Sequence, residues 1–214
     1  MGRKKKENLE KFNRKIIIDA AKKLFSQKGV PGTTMDDIAA EADCSKSTIY
    51  VYFKSKDEIY DSIIYEYMTA MKDGFYGIVN SFEYTEKFYY AICNMFLEFS
   101  EKYPIYFESI LGNISTDRRD FEKQPVLEKI YTAGEEINDI MISFFEKAKA
   151  AGFISEKVEP LPTAFVFWAG ICGIISVAGS KEQYVEERLK MDKKEFMHYG
   201  FGLLLESIRK DKSL

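Results

Sequence analysis

Residues 33–58 decide the fold. Their sequence, TTMDDIAAEADCSKSTIYVYFKSKDE, predicts two short helices separated by a tight turn. Thr34 followed by Asp37 resembles a capping box and predicts the start of the first short helix. The turn falls at Asp43, and Ser45 is the expected N-cap of the second short helix. The pattern therefore predicts a helix-turn-helix.

The second short helix presents two different faces. At about 100° per residue, Ile49 and Phe53 share one face, which we expect to pack against the preceding helices. The other positions carry small polar, aromatic or basic side chains that suit a DNA major groove of about 12 Å: Lys46, Ser47, Thr48, Tyr50, Val51 and Lys54. An ordinary solvated helix pair is the alternative. Exposed tyrosines without a partner and the clustered lysines at 54 and 56 disfavour it.

A third helix precedes this stretch and a long one follows it. Apolar residues recur with helical spacing from Ile17 to Phe25, and Gly29 ends that helix. Ser55 with Glu58 forms a second capping-box pattern, which predicts a long helix through roughly residue 72. We therefore predict a three-helix DNA-binding head over residues 1–58, with a basic arm over residues 1–10.

Residues 59–214 form the predicted body, which is helical and rich in aromatic residues. Apolar stripes indicate helices over 88–99 and 127–148, a shorter helix over 103–111, an uncharged helix over 160–180 and a last helix around 196–204. Nothing in the sequence is typical of a sheet. The predicted fold class is all-α, with a three-helix head followed by a larger helical body.

Charge is divided unevenly between the two parts. The chain has a net charge of −3, but residues 1–58 hold thirteen basic and nine acidic side chains, so the head carries +4 and the body −7. A basic head on an acidic body suits a head that meets a polyanion.

The sequence carries no sign of catalysis or of a cofactor. It has three distant cysteines and one histidine, with no nucleophile motif, phosphate loop or metal-binding spacing. We therefore expect no enzyme activity, no metal, no cofactor and no disulfide, in a protein of the reducing cytoplasm.

Residues 160–180 contain no charge and are long enough to span a membrane. Against a span, Pro160 and Pro162 stand at the start, and the aromatic residues lie in the middle rather than at two interfaces. We expect a buried helix that packs against a partner, and hence no membrane partner. A membrane-associated helical protein anchored through 160–180 is the alternative.

Three ordered segments, IIIDAAKKLFSQKG (16–29), GTTMDDIAAEA (32–42) and SKSTIYVYFKSKDEIY (45–60), resemble the head of the TetR family of transcriptional regulators. The resemblance implies a ligand-responsive regulator, usually a repressor, that binds a palindromic operator in double-stranded DNA as a homodimer. It places four residues at phosphates: Thr34, Tyr50, Tyr52 and Lys56. It places four others at base edges: Lys46, Ser47, Thr48 and Val51.

Some positions depart from the family pattern. Asp43 stands where glycine commonly makes the turn, so aspartate must adopt a left-handed backbone. Ser47 replaces a frequent glycine and Val51 a larger residue, which leaves the operator sequence open. The basic arm, with Arg3 to Lys6, either enters the adjacent minor groove or follows the DNA backbone.

The resemblance also bears on the body. It implies dimerisation through the last two long helices, for which the candidates are 126–150 and 160–180, and a small-molecule site. Aromatic residues expected to contact a planar, apolar or cationic effector are Phe88, Phe96, Phe99, Tyr103, Phe107, Tyr131, Phe165 and Trp168, with Phe82 and Tyr89 also available. A tightly packed core is the alternative. We expect the effector to tilt the helix that begins at Ser55 and so change the spacing of the two reading helices.

Overall fold

The computed structural model describes residues 2–81, 85–104, 107 and 117–210. Regular structure within them is helical, which confirms the all-α fold class, apart from an isolated bridge between Ile154 and Arg209. The helices are α1 (Gly2–Lys28), α2 (Met35–Glu41), α3 (Lys46–Tyr52), α4 (Lys56–Ser81), α5 (Glu86–Lys102), α6 (Arg118–Lys123), α7 (Pro125–Ala150), α8 (Pro160–Ser180), α9 (Glu182–Tyr184), a π-helical turn (Val185–Leu189) and α10 (Lys193–Glu206).

The chain divides into two compact units. The first unit holds residues 1–69 and 113–133, and the second holds residues 70–112 and 134–214. Helices α4 and α7 each contribute one part to either unit. The functional boundary expected between residues 58 and 59 stays a prediction.

The core of the first unit is built from apolar side chains with helical spacing. Phe25, Ile38, Ile49, Phe53 and Ile59, which come from α1 to α4 and the residue after α3, are buried almost completely. Burial of each such side chain contributes about 1.5–3 kcal/mol before the entropy of ordering is counted. The inward face predicted for α3 is therefore confirmed.

The predicted local signals of the helix-turn-helix are also present. Thr34 and Asp37 form a reciprocal capping box, and Ser45 caps α3. Asp43 has φ 49°, so aspartate takes the left-handed conformation that the turn requires. Ser55 Oγ accepts the N–H of Glu58 at 3.1 Å, but the Glu58 carboxylate reaches the N–H of Lys54 rather than that of Ser55.

The second unit encloses an aromatic core. Phe75, Phe88 and Phe145 are fully buried, and the Phe88 ring stacks on Phe144 with a centroid distance of 4.2 Å. Helices α8 and α10 pack closely, because Gly170 and Gly200 leave room for larger side chains of the facing helix.

Two boundaries differ from the prediction. Helix α1 begins at Gly2, so the basic arm continues the helix instead of preceding it, as its good helix formers Lys, Glu and Leu allow. Helix α4 runs to Ser81, well past residue 72. Phe82 and most of the helix expected over 103–111 lie outside the described residues.

Candidate nucleic-acid interface and cavity

The exposed N-terminus of α3 carries a cluster of hydroxyl groups. Ser45 Oγ lies 2.8 Å from Ser47 Oγ and 2.8 Å from Thr48 Oγ1, and it accepts the backbone N–H of Thr48. Free N–H groups at a helix start together with hydroxyls suit phosphate oxygens and base edges. The structure therefore brings three small polar side chains together at the end of α3 predicted to meet DNA.

The outward face of α3 is open to solvent. Val51 is 74% exposed and Tyr50 is 50% exposed, whereas Ile49 on the same helix is fully buried. Lys54 is also exposed, and Tyr52 is half-buried. An exposed valine and tyrosine on a short helix leave apolar area that a DNA groove would cover.

Lys46 is not free in this conformation. Its ammonium group donates to Asp36 Oδ2 at 2.8 Å across the turn between α2 and α3. This bond to a carboxylate raises the pKa of Lys46 above its usual range. The lysine predicted to reach base edges is thus held back by an internal ion pair, which sequence reasoning missed.

Helix α1 holds the C-terminal end of α3. Asn13 Nδ2 donates to the Tyr52 hydroxyl at 2.7 Å, and an Arg14 guanidinium nitrogen donates to the Tyr52 carbonyl oxygen at 2.5 Å. The same guanidinium lies over the Phe53 ring at 4.1 Å from its centroid. No local sequence signal identifies these contacts, because Asn13 and Tyr52 are separated by 39 positions.

Lys56, a predicted phosphate contact, anchors the start of α4 to the turn after α1. Its ammonium group donates to the carbonyl oxygens of Val30 at 2.7 Å and Thr33 at 2.8 Å. A lysine has three N–H donors, so one stays available for another acceptor. Thr34, the other phosphate candidate nearby, is exposed and bonds Asp37 through its hydroxyl.

The eight residues expected to contact an effector lie in several different environments, and their role in effector binding stays a prediction. Phe88, Phe96 and Phe107 are buried, and the rings of Phe99 and Tyr103 pack on each other. Phe165 is 45% exposed and pairs with Trp168 on α8. Tyr131 belongs to the first unit, where its ring packs on Phe121.

A cavity of about 280 Å³, open to solvent at the exposed residues Tyr76 and Asp139, lies on the second unit between the last turns of α4 and the middle of α7. It is lined by Tyr76, Val79, Glu136, Asp139, Ile140, Ser143 and Phe144. None of the eight expected effector residues is in this lining, although the Phe88 ring stacks on the wall residue Phe144. Lys72 pairs with Glu136, and this pairing raises the pKa of Lys72.

Comparison with known proteins matches residues 17–63 to the family described as bacterial regulatory proteins, tetR family. The chain is 44% identical over 59 residues to the uncharacterised HTH-type transcriptional regulator YhgD of Bacillus subtilis, a match that covers 28% of this chain and only 31% of YhgD. It is 27% identical over 157 residues to IcaR, the biofilm operon icaADBC HTH-type negative transcriptional regulator of Staphylococcus aureus, over 66% of this chain and 84% of IcaR.

The fold is shared with solved regulators. The transcriptional regulator FadR from Bacillus subtilis, solved in complex with stearoyl-CoA, superposes with a TM-score of 0.68 at 17% identity, over 91% of this chain and 98% of that one.

One described helix, Pro160–Ser180, is long and apolar enough to cross a membrane by length and composition. The relatives named above are transcriptional regulators, and they do not favour the membrane-anchored alternative.

Proposed function

The chain belongs to the TetR family of regulatory proteins, and we propose that it is a repressor that binds a palindromic operator as a homodimer and is released by a small effector. One observation carries this proposal: α3 buries Ile49 completely while it leaves Val51 74% exposed beside polar side chains. A short helix with one anchored and one open face suits insertion into a major groove. Such a protein acts in the cytoplasm.

The contacts divide into two sets. Base edges meet Lys46, Ser47, Thr48 and Val51, which lie at the N-terminal and outward positions of α3. Phosphates meet Thr34, Tyr50, Tyr52, Lys54 and Lys56, which surround that face. The small side chains at 47 and 51 supply specificity, and the lysines supply the affinity that depends on salt.

The dimer forms through α8 and α10. These two packed helices expose large apolar side chains, namely Leu161, Phe165, Val166, Val177, Tyr199 and Leu203. Helix α7, the other sequence candidate, exposes no large apolar side chain among the residues that the structure describes. Exposed apolar side chains on two packed helices suit the self-complementary surface of a two-fold dimer. It also explains a helix without charges in a protein that is not anchored to a membrane.

The effector binds in the cavity of the second unit. Its lining combines the aromatic rings of Tyr76 and Phe144 and the apolar side chains of Val79 and Ile140 with three polar side chains, Glu136, Asp139 and Ser143. Asp139 disfavours an anionic ligand there, whereas the charge of Glu136 is balanced by Lys72, so we propose a small, mainly apolar or aromatic effector without an acidic group. FadR was solved with stearoyl-CoA, and Asp139 argues for a different ligand class in this chain.

Helix α4 connects effector binding to DNA binding. It is continuous from Lys56 to Ser81, so the helix that supplies Tyr76 and Val79 to the cavity also supplies Lys56 to the head. A ligand that displaces α4 changes the anchoring of the turn before Thr34. Effector and operator then favour different positions of α4, which couples their affinities reciprocally.

Selection of bound duplexes from a random pool tests the proposal. The expected result is a palindromic site, with recovery reduced by one class of small aromatic ligand. Val51→Asp should recover no consensus, because it places a negative charge in the groove. The matched control Leu189→Asp changes an exposed apolar residue outside α3 and should recover the same palindrome. Recovery of no preferred sequence by the native chain would reject the proposed function.

A further inference from the structure

We propose that Asn13 is a positioning residue for DNA binding, which acts by leaving the hydroxyl proton of Tyr52 available to an operator phosphate. Asn13 itself makes no contact with DNA in this arrangement. The inference rests on the proposed function, in which Tyr52 is one of the phosphate contacts. It adds the residue that decides whether this tyrosine can donate a hydrogen bond.

Tyr52 is the last residue of α3, and two consecutive residues of α1 hold its opposite ends. The Arg14 guanidinium donates to the Tyr52 carbonyl oxygen at 2.5 Å and lies 4.1 Å from the centroid of the Phe53 ring. The last carbonyl oxygens of a helix have no partner within that helix, so this bond fixes the backbone at the end of α3. Asn13 Nδ2 donates to the Tyr52 hydroxyl at 2.7 Å. Both the backbone and the side chain of Tyr52 are therefore fixed from α1.

The direction of the bond between Asn13 and Tyr52 determines what the hydroxyl can do next. A phenol hydroxyl carries one proton, and its oxygen can accept a hydrogen bond as well. Because Asn13 supplies the proton of their bond, the proton of Tyr52 is not used in it. Among the residues that the structure describes, none accepts that proton, and Tyr52 is only half-buried. A phosphate oxygen, which only accepts, can therefore use it.

Thr34, another phosphate candidate with a hydroxyl group, shows the opposite arrangement. Its hydroxyl donates to Asp37 Oδ2 at 2.7 Å and accepts the N–H of Asp37 at 3.1 Å. Hydrogen bonds from Lys28 and Thr34 hold the pKa of Asp37 well below its usual range, so this carboxylate remains an acceptor. Thr34 must give up its bond to Asp37 before it can donate to a phosphate, whereas Tyr52 needs no such change.

A purely structural role for Asn13 is the alternative. In that case the bond only holds α1 against α3, and its direction does not affect DNA binding. Asn13→Asp separates the two roles, because aspartate has nearly the shape of asparagine but its carboxylate only accepts. The bond to Tyr52 is then retained with its direction reversed. The hydroxyl proton is used inside the protein and is no longer available to a phosphate.

The test measures thermal unfolding and operator affinity of the full chain with Asn13→Asp and with Asn13→Ala, at a temperature where every variant is folded. Thermal stability should fall only in Asn13→Ala, which loses the bond. Affinity should fall most in Asn13→Asp, by about tenfold per half-site, and by less than about threefold in Asn13→Ala, whose tyrosine retains its proton. The two variants thus change order between stability and affinity, whereas a structural role predicts one order for both.

Gln27→Glu is the matched control for charge, because it changes an amide to a carboxylate at an exposed position of the same helix. It should retain native stability and bind the operator within about twofold of the native chain. Tyr52→Phe removes the hydroxyl and should lower affinity about tenfold per half-site at an unchanged salt slope, since a hydroxyl displaces no counterion. In that background, Asn13→Asp should weaken binding no more than Gln27→Glu does.

The proposal is overturned if Asn13→Asp binds the operator as the native chain does. It is also overturned if Asn13→Asp weakens binding equally with and without the Tyr52 hydroxyl, because the added charge alone would then explain the loss. Failure of the native chain to select any operator would instead contradict the proposed function. A selected operator that Asn13→Asp still binds normally contradicts only the role of Asn13, so the two failures are distinguishable.

Discussion

Lys56 donates to the carbonyl oxygen of Thr33 at 2.8 Å, and so fixes the first turn of α4 to the residue before the N-cap of α2. Thr33 is buried, and the second bond of Lys56 reaches Val30 in the same turn. Lys56 is therefore a positioning residue of the head as well as a candidate for phosphate contact. Its substitution should change two measurable quantities.

We expect Lys56→Met to lower the free energy of unfolding by about 1–3 kcal/mol, because two carbonyl oxygens lose a charged donor. The salt slope of DNA binding should also fall by about one phosphate contact. Chemical denaturation and affinity at several salt concentrations measure the two effects. The control Lys54→Met removes an exposed lysine and should lower the slope at unchanged stability. A stability loss with an unchanged slope would restrict Lys56 to its positioning role.

These contacts show which parts of the site the sequence could predict. The sequence predicts features that depend only on neighbouring residues. These are the Thr34–Asp37 capping box, the Ser45 N-cap and the left-handed backbone of Asp43. The bonds of Lys56 and Tyr52 join residues 23 to 39 positions apart, and only the packing of α1 against α3 and α4 creates them.

The effector residues show a different limit. An aromatic ring is equally hydrophobic in a packed core and in the lining of a cavity. The sequence therefore cannot distinguish Phe88, which is stacked inside the core, from Phe144, which lines the cavity. Similarly, the apolar pattern of α8 does not distinguish burial within a subunit from a surface left for a partner. The exposure of Val166 and Leu203 makes that distinction.

The ion pair between Asp36 and Lys46 should weaken DNA binding. Asp36 places a negative charge beside the reading helix and occupies the Lys46 ammonium at 2.8 Å. Both side chains are solvent-exposed, so release of the pair is worth a factor of about two to five in affinity. We expect Asp36→Asn to tighten operator binding by that factor. The control Asp19→Asn makes the same charge change at an exposed position of α1. An equal gain in both variants would indicate a general charge effect.

Asp61 should make stability depend on pH. Partial burial raises the pKa of this carboxyl group to about 6, aided by Asp57 and Glu58 and opposed by the hydrogen bond from Gln124. In the unfolded chain the group titrates near 3.8. Between these values the folded state retains a proton that the unfolded state releases. Stability therefore falls as pH rises from about 4 to about 6 and is constant above that range.

Asp61→Asn should remove this dependence and raise stability at pH 7 by about 1 kcal/mol, a value reduced for the partial exposure of the group. Urea unfolding at pH 5 and pH 7 measures both effects. The control Asp73→Asn alters an exposed aspartate of the same helix and should preserve the native difference between the two pH values. An unchanged pH dependence in Asp61→Asn would assign it to other groups.

The close approach of α8 and α10 depends on Gly200. A Cβ atom there would lie 2.9 Å from Cδ1 of Ile174 and within 3.2 Å of two further atoms of that side chain. We expect Gly200→Ala to destabilise the protein by about 1–3 kcal/mol through overpacking. Gly77→Ala is the control, because a Cβ at this exposed helical position meets nothing within 4 Å. It should be neutral or stabilise by up to about 1 kcal/mol.

The apolar face of α8 and α10 should hold two copies of the chain together. Val166 is 62% exposed and Leu203 is 56% exposed, so the subunit itself does not need either side chain for its core. Val166→Asp with Leu203→Asp should leave thermal unfolding of the subunit almost unchanged but place four carboxylates in the two-fold interface. We expect a monomer in sedimentation velocity, because buried unpaired charges cost several kcal/mol.

The monomer should also lose affinity for a palindrome while it keeps weak binding to a half-site, since one α3 remains intact. Leu189→Asp, a change of the same kind at an exposed position between α8 and α10, is the control and should sediment like the native protein. A dimer that persists in Val166→Asp with Leu203→Asp would place the interface on another surface. In that case the exposed apolar face of α8 would not be part of the dimer interface.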